Sequence, residues 1–277
     1  MTKTDESRVA PPLPEGQGSA GPGVRGTPPK TPAPARNPLG YPHNRAMADA
    51  LQKCLEKTFK GRTPPPNLKT IVMLSGGLDS IALLATVLKE TTHAVHAHHI
   101  EIVNFENRWK VEKRAVADAL KYIRKHYRAF DYSESRNEFS VGKGGGTDLQ
   151  LSLFTAFRLT TALGGNVDLV MTGHITPPFW ELSEGAAVFH AGFIHKRRKP
   201  EWVWPLKFLT SAHTQKKLDI YESIPEELAE TAWSCRKPVQ TKAKFTPCGV
   251  CFACKSMIAI KQIRAERGKA PAERSAS

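Results

Sequence analysis

At 277 residues the chain is long enough to bury a substantial core, either as one large α/β domain with a small appendage or as two small domains. Its formal charge of +14 and pI near 9.7 favour anionic partners such as nucleic acid, nucleotide phosphates or an anionic membrane surface; solvated lysines and arginines on exposed faces and tails are the other source of such an excess. No stretch reaches the roughly 18 consecutive apolar residues of a membrane span, and no basic start leads into an apolar run at the N-terminus, so a cytoplasmic protein with no membrane partner is expected.

Residues 1–45 are dominated by Pro, Gly, Ser, Thr and Ala, a composition that cannot offset its own ordering entropy and predicts a mobile tail. "AMADALQKCLEKTF" (46–59) has helical spacing through Ala46, Leu51, Cys54, Leu55 and Phe59, and "GRTPPPN" ends it. An alternation follows: strand "LKTIVMLS", helix "DSIALLATVLKE", strand "AVHAHHIEIV", a long amphipathic helix over 106–127, strand "RAFDYS", a helix over 148–163 and strand "VDLVMTGH". Unbroken apolar strands alternating with helices predict a doubly wound parallel sheet, α/β in class, covered on both faces. No internal repeat is present. After Pro177 the pattern weakens, and an irregular, substrate-facing region stapled by a metal is expected. The expected division is a tail (1–45), an α/β nucleotide-binding domain (46–200), a C-terminal lobe (201–265) and a basic flexible tail (266–277).

Two glycines between a buried strand and a helix turn backbone N–H groups outward, where the helix N-terminus adds positive potential: an anion cradle. No Gly-Lys-Ser/Thr stands at Walker distance and no G-x-G-x-x-G is present. A tight turn using glycine only for positive φ is the plain structural alternative for a bare Gly-Gly. The whole string Ser75-Gly76-Gly77-Leu78-Asp79-Ser80 is far more specific. It resembles the S-G-G-x-D-S signature of the PP-loop ATP pyrophosphatase superfamily, whose members release pyrophosphate and place AMP on a substrate. That resemblance implies an adenine nucleotide alpha hydrolase-like, Rossmann-like sheet and ATP as substrate. Ser75, Gly76, Gly77 and Ser80, with Leu78 in the same turn, would bind phosphates, and Asp79 would bind the accompanying Mg2+. Thr172-Gly173-His174 ends the fourth predicted strand. Strand C-termini are where open α/β sheets bind ligands, and superfamily members often carry Gly-His or Gly-Asn there, so Gly173 and His174 are candidate nucleotide-site residues; a histidine satisfied by water is the alternative.

Of five cysteines, Cys235, Cys248, Cys251 and Cys254 crowd into twenty residues, and C-x-x-C-x-x-C with one upstream cysteine predicts a four-thiolate Zn2+ site. An iron–sulfur cluster suits the same spacing and stands as the alternative. Cys54 is expected to be a small core residue. With the loop, "TAWSC" and "PCGVCFAC" resemble the 7-cyano-7-deazaguanine (preQ0) synthases, over roughly residues 68–260. The resemblance implies conversion of 7-carboxy-7-deazaguanine, through an adenylate and an amide, to a nitrile with ammonia and ATP, as in queuosine biosynthesis. It also implies a carbon–nitrogen ligase that often forms homodimers. "WPLKFLTSAHTQKKLDIY" resembles the family segment that carries a phosphate-facing lysine, a role open to Lys216 or Lys217, which join Asp79 as candidate catalytic residues.

The departures are specific. The family's deazapurine-framing G-Y-P-D-C-R-P-E-F string is replaced by "TPPFWELSEGAAVFHAGFI", and its tyrosine-glutamine-arginine stretch by "NFENRWKVE", where Arg108 and Glu112 still align. Rival readings are therefore a PP-loop enzyme acting on tRNA, DNA or protein, and a non-catalytic zinc-bearing nucleic-acid adaptor. His96 and His98 are expected on one strand face and His99 on the other, for packing and hydrogen bonding or, alternatively, as metal ligands. "HKRRKPEWVW" reads either as a nucleic-acid contact with stacking tryptophans or as a loop that its tryptophans anchor. "VGKGGGTD" (141–148) reads as a lid or a linker, with Asp148 capping the next helix.

Overall fold

The computed structural model describes residues 44–65, 67–104, 106–138, 148–175, 179–194, 199–209, 211–241 and 244–269. All lie in one compact unit, Pro32–Ser277. The expected N-terminal tail, apart from residues 44 and 45, the loop 141–147, most of the basic run 195–199 and the last eight residues lie outside them.

Five parallel strands form the central sheet: β1 (Lys69–Leu74), β2 (Ala94–Val103), β3 (Asp131–Glu138), β4 (Leu169–Met171) and β5 (Glu201–Val203), in the order β3-β2-β1-β4-β5. The strand order reverses between β1 and β4, which pair as Thr70–Leu169, Ile71–Val170 and Val72–Met171. This is the α/β, doubly wound architecture. β1 is continuously apolar from Ile71 to Leu74 because it is buried on both sides. Val72 and Leu74 enter a core with α1 (Ala46–Thr58), α2 (Leu78–Glu90), α3 (Trp109–His126) and α6 (His213–Glu222); Ile71 and Met73 enter a second core with α4 (Asp148–Ala162) and α5 (Phe179–Gly192). α2 is buried all round, from Ser80 to Leu88. α3 instead shows the stripe Val111, Ala115, Val116, Ala119, Leu120 and Ile123 that one covered face requires. Cys54 is core, as expected.

Several expectations need correction. The third strand starts at Asp131 and runs to Glu138, because this polar segment pairs with β2 from His96 to Val103 and needs no apolar pattern at a sheet edge. The region after Pro177 is not irregular. It supplies α5, the edge strand β5, α7 (Glu226–Ala229) and the 18-residue α8 (Phe252–Lys269), with a small hairpin of β6 (Val239–Gln240) and β7 (Phe245–Thr246). β5 lies beyond the expected boundary at 200 yet belongs to the main sheet. α8 lacks a clear apolar stripe. It is held by Ile260 in the core and by ion pairs Arg264–Glu226, Lys261–Glu230 and Arg267–Glu222. Among the described residues no helix is long and apolar enough to cross a membrane.

Candidate functional site

The turn between β1 and α2 lies at the reversal of strand order, where open α/β sheets leave a crevice beyond their strand ends. Gly76 adopts φ +79°, and a Cβ there would lie 2.7 Å from the Glu112 carbonyl oxygen, so the turn needs glycine for its conformation and for the approach of α3. Gly77 is the N-cap of α2 and supplies no side-chain cap, which leaves that helix end to whatever binds in front of it. Ser80 braces the turn from inside. Its Oγ accepts from the Ser75 N–H (3.1 Å), lies 3.1 Å from Ser75 Oγ and donates to the Gly77 carbonyl (3.0 Å). Leu78 is buried beneath the turn.

The end of β4 meets this turn directly. A Cβ on Gly173 would stand 2.8 Å from both the nitrogen and Cα of Ser80, so the first turn of α2 packs on bare backbone. The Trp202 indole donates to Thr172 Oγ1 (3.0 Å) and the Trp204 indole to the His174 carbonyl, so both tryptophans of the 195–204 segment anchor the Thr172–His174 strand end. His174 is half-buried and lines the crevice. Burial pushes its pKa down, against Asp148 and Asp79 and with Arg236 and Lys217, and its Nδ1 is buried without a partner among the described residues.

Asp79, in the first turn of α2, accepts both carboxylate bonds from Lys217 Nζ, at 2.6 and 2.7 Å. Lys217 comes from α6, 138 positions away. Lys216 is half-buried on the same helix but does not line the crevice. The cavity in front of the turn measures about 700 Å3. Ser75, Gly77, Asp79, Ser80, Gly173, His174 and Lys217 line one side; Arg108, Glu112, Asp148 and Arg236 line another.

That second wall is a charge network. Arg108, 9% exposed, pairs with Glu106, Glu112 and Asp148, and Arg236 pairs with Asp148 at 2.8 Å. Burial works against the Arg108 charge, but the three carboxylates raise its pKa above the ordinary arginine value. Burial likewise opposes ionisation of Asp148, while Arg108 and Arg236 hold its carboxyl below the usual range. Asp148 is thus the first residue of α4 rather than its side-chain cap, with its carboxylate turned to the two guanidinium groups. Arg108 and Glu112 were visible as an aligned pair in the sequence. Asp148 and Arg236 as their partners were not, since 40 and 128 residues separate them from Arg108.

The sulfurs of Cys235, Cys248, Cys251 and Cys254 all lie within 4.8 Å of one another, and Cys248 and Cys254 are 3.9 Å apart. Four thiolates on one tetrahedral ion at about 2.3 Å would be about 3.8 Å apart, so the set fits a single metal ion. Backbone N–H groups of Lys237 and Cys248 point at Cys235 sulfur (3.4 and 3.3 Å), and those of Cys251 and Cys254 at the preceding cysteine. The cluster is joined to the crevice by the short irregular segment before Cys235: the Trp233 N–H donates to the Gly76 carbonyl (2.9 Å), and its indole donates to the Cys235 carbonyl (3.0 Å). The histidines of β2 are hydrogen-bonded. Ser133 Oγ lies 2.7 Å from both His96 and His98, and His99 bonds the Leu74 carbonyl.

No protein-family model and no curated protein matches the chain. Among solved structures, it is similar to the U34-tRNA thiolase NcsA from Methanococcus maripaludis with its [4Fe-4S] cluster, at 13% identity and TM-score 0.38 over 85% of this chain and 80% of that one. It is also similar to NMN synthetase from Francisella tularensis, at 12% identity and TM-score 0.40 over 70% and 76%.

Proposed function

We propose that the chain is an ATP-dependent PP-loop enzyme that adenylates an acceptor oxygen with release of pyrophosphate and then delivers nitrogen to the activated carbon, with 7-carboxy-7-deazaguanine as the leading acceptor. The observation that carries this reading is the Ser75–Ser80 turn at the reversal of strand order, with Asp79 and Lys217 side by side at the mouth of a 700 Å3 cavity. The turn offers backbone N–H groups, the uncapped end of α2 and the Ser75 hydroxyl to the β- and γ-phosphates, with Ser80 bracing it from inside. Asp79 would hold the magnesium that accompanies ATP, which would supply charge neutralisation there, and Lys217, beside it, would reach a phosphate oxygen. Gly173 and His174 would border the nucleotide. In the first step the acceptor oxygen bonds to the α-phosphorus, the α–β bridge breaks and pyrophosphate leaves. In the second, nitrogen bonds to carbon, sheds a proton, and AMP leaves with the electron pair, giving an amide. A second ATP would then adenylate the amide oxygen with release of pyrophosphate, and loss of that oxygen as AMP together with the remaining N–H protons would give the nitrile. Positioning and charge neutralisation supply most of the rate.

Zinc is the ion we assign to the four cysteines, because their close spacing suits one tetrahedral thiolate centre. With its four positions supplied by the cysteines, its role would be to hold Trp233 and Arg236 against the crevice.

The test is pyrophosphate and AMP release with Mg-ATP and ammonium, with and without 7-carboxy-7-deazaguanine, and with Asp79→Ala as control. Turnover that requires the acid and yields its nitrile by mass spectrometry supports the full reading. AMP formation stimulated instead by tRNA, DNA or a protein acceptor moves the acceptor and keeps the ATP chemistry. Polynucleotide binding with no ATP cleavage under any condition overturns both in favour of an adaptor.

A further inference from the structure

Glu112 differs from the other carboxylates of the cavity wall in where its two ends lie. Its backbone carbonyl abuts Gly76 of the phosphate turn, and its side chain, 13% exposed, borders the cavity. One carboxylate oxygen accepts from Arg108; the other has no hydrogen-bond partner among the described residues. A buried carboxylate with a purely structural role is expected to use both oxygens. Nor does Arg108 depend on it, being held also by Glu106 and by both oxygens of Asp148. The wall brings three carboxylates (Glu106, Glu112 and Asp148) to two guanidinium groups (Arg108 and Arg236), an excess of one negative charge that a proton or a cationic amine would neutralise.

We propose that Glu112 is the general base of the nitrogen-transfer step, its open oxygen taking the proton that the amine sheds as it attacks the adenylated carbon. This rests on the ATP-dependent carbon–nitrogen ligation proposed above. The nitrogen lone pair forms the C–N bond, one N–H proton passes to the carboxylate, the C–O bond to AMP breaks, and AMP departs with the electrons; the proton then leaves to solvent. Burial, opposed by Arg108, assisted by Asp148, opposed by Arg236 and assisted by Glu106, pushes Glu112 up to about 7, close to the pH at which a general base is most effective.

The two half-reactions separate this role from a structural one. For Glu112→Gln, ATP–pyrophosphate exchange dependent on 7-carboxy-7-deazaguanine is expected within about threefold of wild type, while ammonia-dependent amide formation falls about 100-fold or more. Hydroxylamine, unprotonated at neutral pH, is expected to restore hydroxamate formation to within about fivefold of wild type, since it needs far less help from a base. Glu112→Asp is expected to recover at least about tenfold over Gln. In the wild type, amide formation per free ammonia is expected to rise through an ionisation near 7 that is absent from the hydroxylamine reaction. Amide and hydroxamate formation falling together, neither falling, or one pH profile shared by both nucleophiles overturns the role and leaves the ligase reading standing. Wild-type protein without acid-dependent exchange overturns the ligase reading and the role with it.

Discussion

At the scale of single residues, the crevice is held open by the absence of side chains as much as by their presence. Gly173→Ala would drive a methyl group to 2.8 Å from the backbone of Ser80, without any change of backbone region to relieve it. A loss of about 1–3 kcal/mol is expected, as for other overpacked sites, with weaker Mg-ATP binding. Thermal melting and nucleotide titration of the same variant check both effects. Lys217 and Asp79 are 16% and 18% exposed, and each satisfies the other. Lys217→Met should therefore lower stability by about 1.5–3 kcal/mol, the range for hydrogen bonds to charged groups, and should tighten binding of Mg2+ alone, because Asp79 is left without its cation. Magnesium titration by calorimetry, with Asp79→Asn added to Lys217→Met as the comparison, reads this out; equal magnesium binding by both variants would count against Asp79 as the ligand.

At the scale of elements, the C-terminal lobe is a wall of the crevice. The Trp233 N–H to Gly76 bond and the Arg236–Asp148 pair both come from residues beside Cys235, so the cysteine cluster positions the backbone that packs on the Gly76–Ser80 turn. Stripping metal from the four cysteines with a strong chelator, or replacing Cys251 with Ser, is expected to loosen residues 231–256 and to raise amide hydrogen exchange in the Gly76–Ser80 turn, with the edge strand β3 unchanged. Exchange measured by mass spectrometry distinguishes this from a lobe whose unfolding stays local. α4 and α5 form the opposite layer at close range, since a Cβ on Gly192 would stand 2.6 Å from the Phe157 ring. That packing seats Asp148, the first residue of α4, against Arg108.

At the scale of the whole molecule, burial of titratable groups makes stability depend on pH in two opposing ways. Burial, with Arg128 adding to it and Asp168 opposing, pushes His93 down to about 4; burial, with His96 and His99 adding and Glu134 opposing, does the same to His98. Both are neutral in the fold and would be charged in the unfolded chain below about 6.5, so their contribution is full above that pH and is lost as pH falls toward 4, up to about 3 kcal/mol each. Glu112 has the opposite sign. With its pKa raised to about 7, the fold binds a proton that the unfolded chain gives up near 4.5, so stability declines as pH rises from about 4.5 to 7. Urea unfolding from pH 4 to 8 should show His98→Asn flattening the rise in stability between about 4 and 6.5, and Glu112→Gln steepening that rise between about 4.5 and 7, because the two windows overlap with opposite sign. If neither variant changes the profile, the dominant titrations lie elsewhere.

The local elements of the first 175 residues are legible in the amino-acid order because a strand buried on both faces must be continuously apolar, as in Ile71–Leu74, and an amphipathic helix must repeat its stripe, as in Val111–Ile123. The glycine turn and the four cysteines are legible for a similar reason: each is a short motif whose spacing alone brings its groups together. β3 and α8 were misread because a polar edge strand and a helix tied down by ion pairs carry no periodic apolar signal. The second wall of the cavity was beyond reach for a different reason. Arg108, Asp148 and Arg236 are distant in the chain, and only the packing of α3, α4 and the cysteine lobe around one crevice puts their charges within hydrogen-bonding distance. What the sequence determined by itself is the sheet, the glycine turn between β1 and α2 and the cysteine set, all encoded within a few residues. What the tertiary structure decided is which lysine meets Asp79, and that Glu112 keeps one oxygen open to the cavity, because Coulomb and packing energies depend on separation in space and not along the chain.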